Sequence, residues 1–210
     1  MNLFSSKNNT ISGNTVYNNT YGIFLDSSDN NTVSGNNATN NINAGIYLTS
    51  SNNNTVLGNN ATNNDYGIWL KISNNNNTVS GNNASNNSQY GIQLYFSDNN
   101  TVLGNNATNN QYCGIGIFPD SDNNTVSGNN ASNNGQYGIQ SYSSNYNTFT
   151  GNNASNNDRY GIGLGGSNNT VSGNNAHHNT EAGIEMSGSN NTATGNNASN
   201  NDEYGIVLGG

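Results

Sequence analysis

Apolar and polar residues alternate in short runs that return along the whole chain. Thr32–Ser34 and Asn37–Thr39 each place one apolar residue between two polar ones, and residues 45–48 continue the alternation. A period of two predicts short β-strands with one buried face. Gly-Asn and Asn-Asn pairs between the runs predict corners, because both residue types tolerate left-handed backbone angles. No stretch has a helical period.

The same run opens with a threonine in every repeat. These threonines lie 22 to 24 residues apart, at Thr10, Thr32, Thr55, Thr78, Thr101, Thr125, Thr148, Thr170 and Thr192. A fixed period of this length is typical of a solenoid, in which each repeat is one rung stabilised by its neighbours. We therefore predict an all-β parallel β-helix of about nine rungs, with three short strands per rung, as a single domain over residues 1–210.

Asparagine recurs at three fixed places in every rung. Stacked side-chain amides can hydrogen-bond along such a column, so we predict three structural ladders at the corners. In three successive rungs the ladder residues are Asn31, Asn36 and Asn41, then Asn54, Asn59 and Asn64, then Asn77, Asn82 and Asn87.

The buried positions form four further columns. In one rung they are Val33, Ala38, Ile46 and Leu48, and the neighbouring rungs repeat these residue types with few exceptions. Four aliphatic side chains cannot offset the backbone entropy of one 23-residue rung. Stability is therefore expected only when rungs stack.

The composition restricts the partners. Only 30% of residues are hydrophobic and 7% charged, and three basic residues leave a net charge of -8. This balance argues against nucleic acid and against an anionic membrane surface. No apolar run reaches the ~20 residues of a membrane span. The first residues do not resemble a signal peptide, and we expect a mature segment of an extracellular or cell-surface protein, with a cytoplasmic protein as the alternative.

The repeated form Asn-Asn-Thr-Val-x-Gly-Asn-Asn-Ala, followed by Tyr-Gly-Ile-x-Leu-x-x-Ser, covers the whole chain. It resembles the parallel β-helix repeats of the pectate-lyase-like superfamily, and most closely its NosD-like branch. The resemblance implies a right-handed, single-stranded β-helix. It also implies a wide choice of functions, from polysaccharide lyases and hydrolases to tailspikes, adhesins and surface-layer proteins. The NosD name carries an association with copper, but no residues here match a copper site.

The carboxylates are scattered along the sequence, whereas lyases and hydrolases of this fold cluster theirs, so we predict no catalytic residues and no enzymatic activity. A polysaccharide lyase or hydrolase is the less favoured alternative. Asp98 and Asp122 share a column on adjacent rungs and could bind Ca²⁺, or form a solvated turn; no other cofactor is expected. Arg159 is expected to form a loop ion pair with Asp158. His177 and His178 lack a third metal ligand.

An outward aromatic column is the main candidate for binding. Phe24, Tyr47 and Trp69 follow one another on three rungs and could contact sugar rings or a partner chain. Glycosylation motifs also fall in two outward columns, where they arise from the repeated asparagine pattern of the ladders. The first of these motifs lie at Asn30, Asn37, Asn53, Asn60, Asn76 and Asn83.

Two main hypotheses follow. The first is a non-enzymatic rod that stacks end to end with copies of itself, or joins flanking domains of a longer chain, because neither end resembles a cap. The second is a carbohydrate-binding or carbohydrate-active module that uses the aromatic column. A minor alternative is ice binding by the Thr-x-Ser/Thr hydroxyl array of Thr32 and Ser34 and its equivalents, which Leu57 and Leu103 interrupt.

Overall fold

A computed structural model describes residues 1–209, and it confirms a parallel β-solenoid of about nine rungs without helix. All strand pairs in the described part are parallel and join equivalent positions of successive rungs, as in Val33↔Val56 and Ile46↔Ile68. The periodicity of the sequence therefore becomes a stack in which equivalent residues lie one above another, about 4.8 Å apart.

The longest strands form the sheet that we call sheet A. Its six-residue strands begin at the residue before each Gly-Ile pair. In residues 1–209 its members are β1 (Asn2–Phe4), β4 (Tyr21–Asp26), β7 (Ala44–Thr49), β9 (Tyr66–Lys71), β11 (Tyr90–Tyr95), β13 (Cys113–Phe118), β15 (Tyr137–Tyr142), β17 (Tyr160–Gly165), β19 (Ala182–Ser187) and β21 (Tyr204–Gly209).

Sheet B contains the three-residue strands that open with threonine. Over the described chain they are β2 (Thr10–Ser12), β5 (Thr32–Ser34), β8 (Thr55–Leu57), β10 (Thr78–Ser80), β12 (Thr101–Leu103), β14 (Thr125–Ser127), β16 (Thr148–Thr150), β18 (Thr170–Ser172) and β20 (Thr192–Thr194). Their threonines lie in register, and Leu57 and Leu103 protrude from this hydroxyl array with 46% of their surface exposed. Ice binding stays a prediction.

The third strand of each rung is the shortest. It forms the two-stranded sheet C from β3 (Thr15–Tyr17) and β6 (Asn37–Thr39), and it continues as single-residue bridges from Asn60 to Asn197. Sheet C therefore contributes one buried alanine per rung, such as Ala84, which lets sheet A approach closely.

This close approach explains the glycine of every Gly-Ile pair. A Cβ atom on Gly91 would lie 2.6 Å from the carbonyl oxygens of both Ala84 and Gly114, and 2.8 Å from Nδ2 of Asn110. These atoms are backbone or ladder atoms that cannot move away. Glycine is thus required at this position because a Cβ atom has no room there. The corner glycines, such as Gly81, are favoured instead by a positive φ of 60°.

The asparagine ladders bridge three rungs at a time. Asn82, which is 1% exposed, donates from Nδ2 to Val56 O (2.9 Å) and Asn105 Oδ1 (2.9 Å), and its Oδ1 accepts from N (2.8 Å) and Nδ2 (3.0 Å) of Asn59. Its side chain therefore satisfies polar groups at a corner where no strand continues.

A column of buried serines forms a fourth ladder. Ser28 N donates to Ser51 Oγ at 3.0 Å, and Ser97 N donates to Ser121 Oγ at 3.1 Å. The column follows the Leu-x-x-Ser part of the repeat, and Asn74 substitutes for serine in one rung. The sequence analysis did not assign these serines a ladder role.

Replacing Asn82 by alanine is expected to cost about 3–4 kcal/mol of unfolding free energy, at about 1 kcal/mol for each of four lost hydrogen bonds. The matched control is Asn83→Ala, because Asn83 is part of an outward, partly exposed ladder. We expect the control to cost less than about 1.5 kcal/mol. Urea unfolding of both variants measures the difference, and equal losses would contradict a special role for the buried ladder.

Two departures from the core pattern follow one another along the chain. Ser141, at the end of one rung, occupies the column of Leu94, Ile117 and Leu164, and its buried Oγ has no hydrogen-bond partner. The next strand, which opens the following rung, carries the fully buried Phe149 in a column of mostly valines. We interpret the pair as a volume exchange, in which the small serine makes room for the large phenylalanine.

This exchange predicts that the two substitutions have non-additive effects on the free energy of unfolding. Ser141→Leu alone should overpack the rung by about 1–3 kcal/mol, and Phe149→Val alone should leave a cavity that costs about 2–3 kcal/mol. The double variant should be at least about 1 kcal/mol more stable than the sum predicts. A thermal or urea double-mutant cycle checks this, and strict additivity would show that the two side chains do not share space.

Candidate functional site

The outward face of sheet A carries a continuous line of aromatic rings, which we call the aromatic ridge: Tyr21, Phe24, Tyr47, Tyr66, Trp69 and Tyr90. The predicted trio of Phe24, Tyr47 and Trp69 lies on adjacent strands within it. Ring centroids are 4.9 Å apart between Phe24 and Tyr47, 5.1 Å between Tyr47 and Trp69, and 4.3 Å between Tyr66 and Trp69.

The rings of the ridge stack on one another instead of lying flat on the sheet. The planes of Phe24 and Tyr47 differ by 13° and those of Tyr66 and Trp69 by 11°. Neighbours therefore cover most ring faces, and the surface presents ring edges and phenol hydroxyls. Burial raises the pKa of Tyr47 and Tyr66 above the ordinary tyrosine range, so both hydroxyls stay protonated.

Beside the ridge, Lys71 lies in a shallow cleft with Tyr66, Trp69, Gln93 and Tyr95. Its ammonium group is 4.6 Å from the centroid of the Trp69 ring, a cation–π contact. Lys71 is the one basic side chain in residues 1–209 without an ion pair, since Lys7 and Arg159 both have carboxylate partners. The sequence analysis did not single it out.

Cys113 replaces a tyrosine of the outward column and breaks the regular spacing of the rings. It is fully buried, and its Sγ donates to Ile115 O at 3.2 Å. Burial raises the pKa of the thiol, because the thiolate would lose its hydration. This geometry describes a packing residue.

The folded protein should therefore react with a thiol reagent at pH 8 no faster than it unfolds, because the raised pKa keeps the Cys113 thiol protonated at that pH. In denaturant one thiol per chain should react at once. The measurement is the release of thionitrobenzoate from Ellman's reagent. Rapid stoichiometric reaction of the native protein would contradict this burial.

Towards the other end of sheet A, the outward column alternates between side chains and glycine. Gln93, Gln140 and Glu185 are separated by Gly116 and Gly163. At Gly163 the missing side chain leaves an open cleft of ≈ 140 Å³, which we call the Gly163 cleft. Its lining includes Tyr137, Gln140, Tyr142, Gly163, Glu185 and Ser187.

The position that a Cβ atom of Gly163 would take shows what converges there. It lies 2.9 Å from Cε1 of Tyr137 and 3.9 Å from Oε2 of Glu185. Gln140 contributes an Oε1 atom that is shielded from solvent and has no hydrogen-bond partner in the described residues. A phenol ring and a carboxylate therefore face one solvent-accessible space, and an unused amide oxygen is buried in its wall.

A charged cluster borders the cleft. The Arg159 guanidinium donates from Nε to Glu181 Oε1 (2.5 Å) and from Nη2 to Oε2 (3.1 Å), and a longer bond reaches the Tyr137 hydroxyl (3.4 Å). The predicted pairing of Arg159 with Asp158 is wrong, because Arg159 extends to the next rung, where Glu181 offers bidentate geometry. Side chains one rung apart are closer than the sequence suggests.

The cluster also fixes protonation states. The Arg159 guanidinium, with a smaller contribution from Tyr160, holds the pKa of Glu181 below its usual range. The hydrogen bond to Glu181, together with burial, raises the pKa of Tyr160 to about 12. At neutral pH the cluster therefore holds an ionised carboxylate, a cation and a protonated phenol.

The other predicted positions take structural places. Asp98 and Asp122 do share a column, but Asp98 Oδ1 accepts from Asp122 N (2.8 Å) and Asp122 Oδ1 accepts from Asn145 N (2.6 Å). The backbone thus uses one oxygen of each carboxylate. Calcium binding there is untested.

The glycosylation motifs divide into two groups. The asparagines at corner positions are exposed, with positive φ angles: Asn30, Asn53 and Asn76. The other asparagines form an outward ladder of their own, in which Asn60 Nδ2 donates to Asn37 Oδ1 (2.8 Å) and Asn83 Nδ2 donates to Asn60 Oδ1 (3.0 Å). Glycosylation stays a prediction.

Two family models match the sequence. The model described as periplasmic copper-binding protein (NosD) matches residues 1–135, and the right handed beta helix region model matches residues 72–210. Each covers more than half of the chain. The chain belongs to the NosD family of right-handed β-helix proteins. A comparison with curated proteins finds no match.

Solved structures show the same fold. The A-module of the Azotobacter vinelandii mannuronan C-5 epimerase AlgE6 has a TM-score of 0.75 and 20% identity, over 97% of this chain and 65% of that one. A mutant of the periplasmic alginate epimerase AlgG has a TM-score of 0.78 and 20% identity, over 87% and 50%. Dettilon tailspike protein has 0.53 and 14%, over 99% and 61%.

The chain thus spans between 50% and 65% of the length of these three structures, and such identities show the fold alone. The comparison overturns the prediction that the chain is not an enzyme, because the solved structures of this fold include epimerases that act on mannuronan and alginate. That prediction looked for acidic residues close together in sequence. The stack instead brings side chains together from different rungs.

The family description names copper, but the described residues contain no matching set of copper ligands. No three His, Cys, Asp or Glu side chains converge anywhere in residues 1–209. Cys113 and Met186 are buried in the core, and the partly exposed His177 and the exposed His178 contact each other through their Nδ1 atoms. A copper site needs more soft or imidazole ligands than these positions supply.

Proposed function

We propose that the outward face of sheet A binds an extended polysaccharide and that the Gly163 cleft is the centre of this site, in a carbohydrate-binding or carbohydrate-active protein. The observation that carries the proposal is the cleft itself. It is open, it has an aromatic wall, and it holds polar groups that are not used by the fold. Sites of this composition are typical of small polar ligands.

The geometry of the face supports a chain-like ligand. Its outward columns run along the axis of the solenoid, from the aromatic ridge through Gln93 to Glu185. A pyranose unit of an extended chain advances by close to one rung spacing, so successive sugars can meet equivalent positions on successive rungs. Ring edges and phenol hydroxyls of the ridge would then extend the contact beyond the cleft.

The charged cluster is the candidate for chemistry on a bound chain. Tyr160 remains protonated at neutral pH because of its raised pKa of about 12, and Tyr137 lies within reach of both Arg159 and the cleft. A protonated phenol beside a fixed guanidinium can donate to oxygen atoms of a ligand. The epimerases with this fold support a carbohydrate-active role.

We also infer that the protein works outside the cytoplasm. NosD is described as a periplasmic copper-binding protein, and AlgG is a periplasmic alginate epimerase. Among residues 1–209 no helix has the length and apolar composition that crossing a membrane would require. End-to-end stacking of copies stays a prediction.

Filling the cleft tests the proposal. Gly163→Gln introduces the side chain that the same column carries at Gln93 and Gln140, and its Cβ atom displaces the Tyr137 ring, whose Cε1 lies 2.9 Å from that position. We expect polysaccharide binding to fall at least tenfold, and circular dichroism with thermal unfolding checks that the variant folds. Affinity electrophoresis against a panel of soluble polysaccharides measures binding. The single Trp69 also gives an intrinsic fluorescence signal for titration.

The control is Tyr17→Thr, which removes an exposed tyrosine from sheet C and restores the residue type of Thr39. Its binding should equal that of the unaltered protein. The proposal fails if no polysaccharide binds the unaltered chain, or if binding survives Gly163→Gln unchanged.

A further inference from the structure

The charges around the Gly163 cleft are one-sided. The guanidinium of Arg159 is engaged by both oxygens of Glu181, so this pair adds no net charge. Glu185, on the cleft wall, has no ion pair among the described residues. The free ammonium of Lys71 belongs to the other cleft, four strands away in the order of sheet A. The local net charge is therefore negative, in a chain of net charge -8.

Two hydrogen-bond acceptors of the cleft are not used by the fold. Glu185 can only accept hydrogen bonds, and the unpartnered atom of Gln140 is its acceptor Oε1. Ser187 donates its hydroxyl to Leu164 O at 3.2 Å, so its proton is not available to a ligand. Gln140 and Glu185 lie on the rungs to either side of Gly163. A donor group above Gly163 would thus face the Glu185 carboxylate, and a turn of the Gln140 amide would give it a second acceptor.

Aromatic rings complete this environment. The Tyr137 ring edge borders Gly163, and the ring of Tyr142, 58% exposed, lies beside Gly165 with Cδ2 3.6 Å from the position of a Cβ atom there. These rings shield the Glu185 carboxylate from part of the solvent, and its attraction for a cation is stronger where less water surrounds it. The only group that combines several donors with positive charge on a sugar is an ammonium group.

We propose that the Gly163 cleft recognises an ammonium group, and that the ligand is an amino-sugar polysaccharide in its free-amine form. This inference rests on the proposed polysaccharide function and specifies its ligand class. The ammonium sits above Gly163 and pairs with the Glu185 carboxylate, and Gln140 Oε1 accepts from it once the amide turns towards the cleft. A polyuronate such as alginate brings carboxylates to the same place, where Glu185 repels them.

The test compares three polymers of different charge on the full chain. Chitosan supplies ammonium groups, N-acetylated chitin oligosaccharides supply the same backbone without them, and alginate supplies carboxylates. We expect chitosan to bind roughly tenfold or more tightly than the N-acetylated form, as for one charge-assisted hydrogen bond. Isothermal titration calorimetry at constant ionic strength measures the three affinities.

Two variants that each remove one negative charge distinguish binding of chitosan at the cleft from its general attraction to an acidic protein. Glu185→Gln should weaken chitosan binding roughly tenfold and leave the N-acetylated oligosaccharides within about twofold. Glu203→Gln removes the same charge from an exposed glutamate on the last rung and should leave both affinities unchanged. Circular dichroism and thermal unfolding confirm that both variants fold.

Each result decides a different point. Alginate binding more tightly than chitosan overturns the ammonium site but leaves the polysaccharide function standing. If both variants lose the same chitosan affinity, or if Glu185→Gln loses none, the cleft does not recognise the ammonium group and the inference is overturned. If none of the three polymers binds, this inference fails. If no polysaccharide of the larger panel binds either, the proposed function fails with it.

Discussion

The structure depends on hydrogen bonds that pass from one rung to the next at its corners. A single rung has no internal partners for its backbone groups, because its strands pair only with the rungs above and below. Strand pairing ends at each corner, where an asparagine side chain takes over: Asn59 N, Asn82 N and Asn105 N each donate to the Oδ1 of the next ladder asparagine, at 2.8 to 2.9 Å. Without these contacts every corner would leave unpaired buried donors.

This constraint also explains how the protein builds a binding face. Since register is fixed along the whole stack, equivalent side chains must lie above one another. Where the outward residue is aromatic, the rings are forced to stack, as in the ridge from Tyr21 to Tyr90. Where it is glycine, as at Gly163, a cleft opens. Departures from the repeat therefore locate the candidate site, while the repeat itself supplies the scaffold.

Much of the fold follows from the sequence. The threonine spacing predicted the rungs, and the asparagine columns predicted ladders that are present in all three places, because in-register stacking converts periodicity directly into contact. The serine column was missed, since Ser28 and Ser51 occur in a variable arc beside substitutions such as Asn74.

The site was less predictable than the fold. Arg159 and Glu181 are 22 residues apart and meet only because one turn of the solenoid separates them. The Gly163 cleft is produced by the absence of a side chain, which a search for reactive residues does not reveal. The stacking of Phe24, Tyr47 and Trp69 through their ring faces depends on side-chain orientation, which the column pattern does not give.

Amide hydrogen exchange at the corners tests the central claim most directly. Backbone N–H groups of Asn59, Asn82 and Asn105 lie outside the strands of sheets A and B, yet they donate to buried ladder oxygens. The account predicts that, measured by NMR, they exchange as slowly as the strand amides of Val79 and Ile92, through global unfolding. Fast exchange at these corners with protected strands on either side would contradict it, because the ladders would then not hold the rungs together.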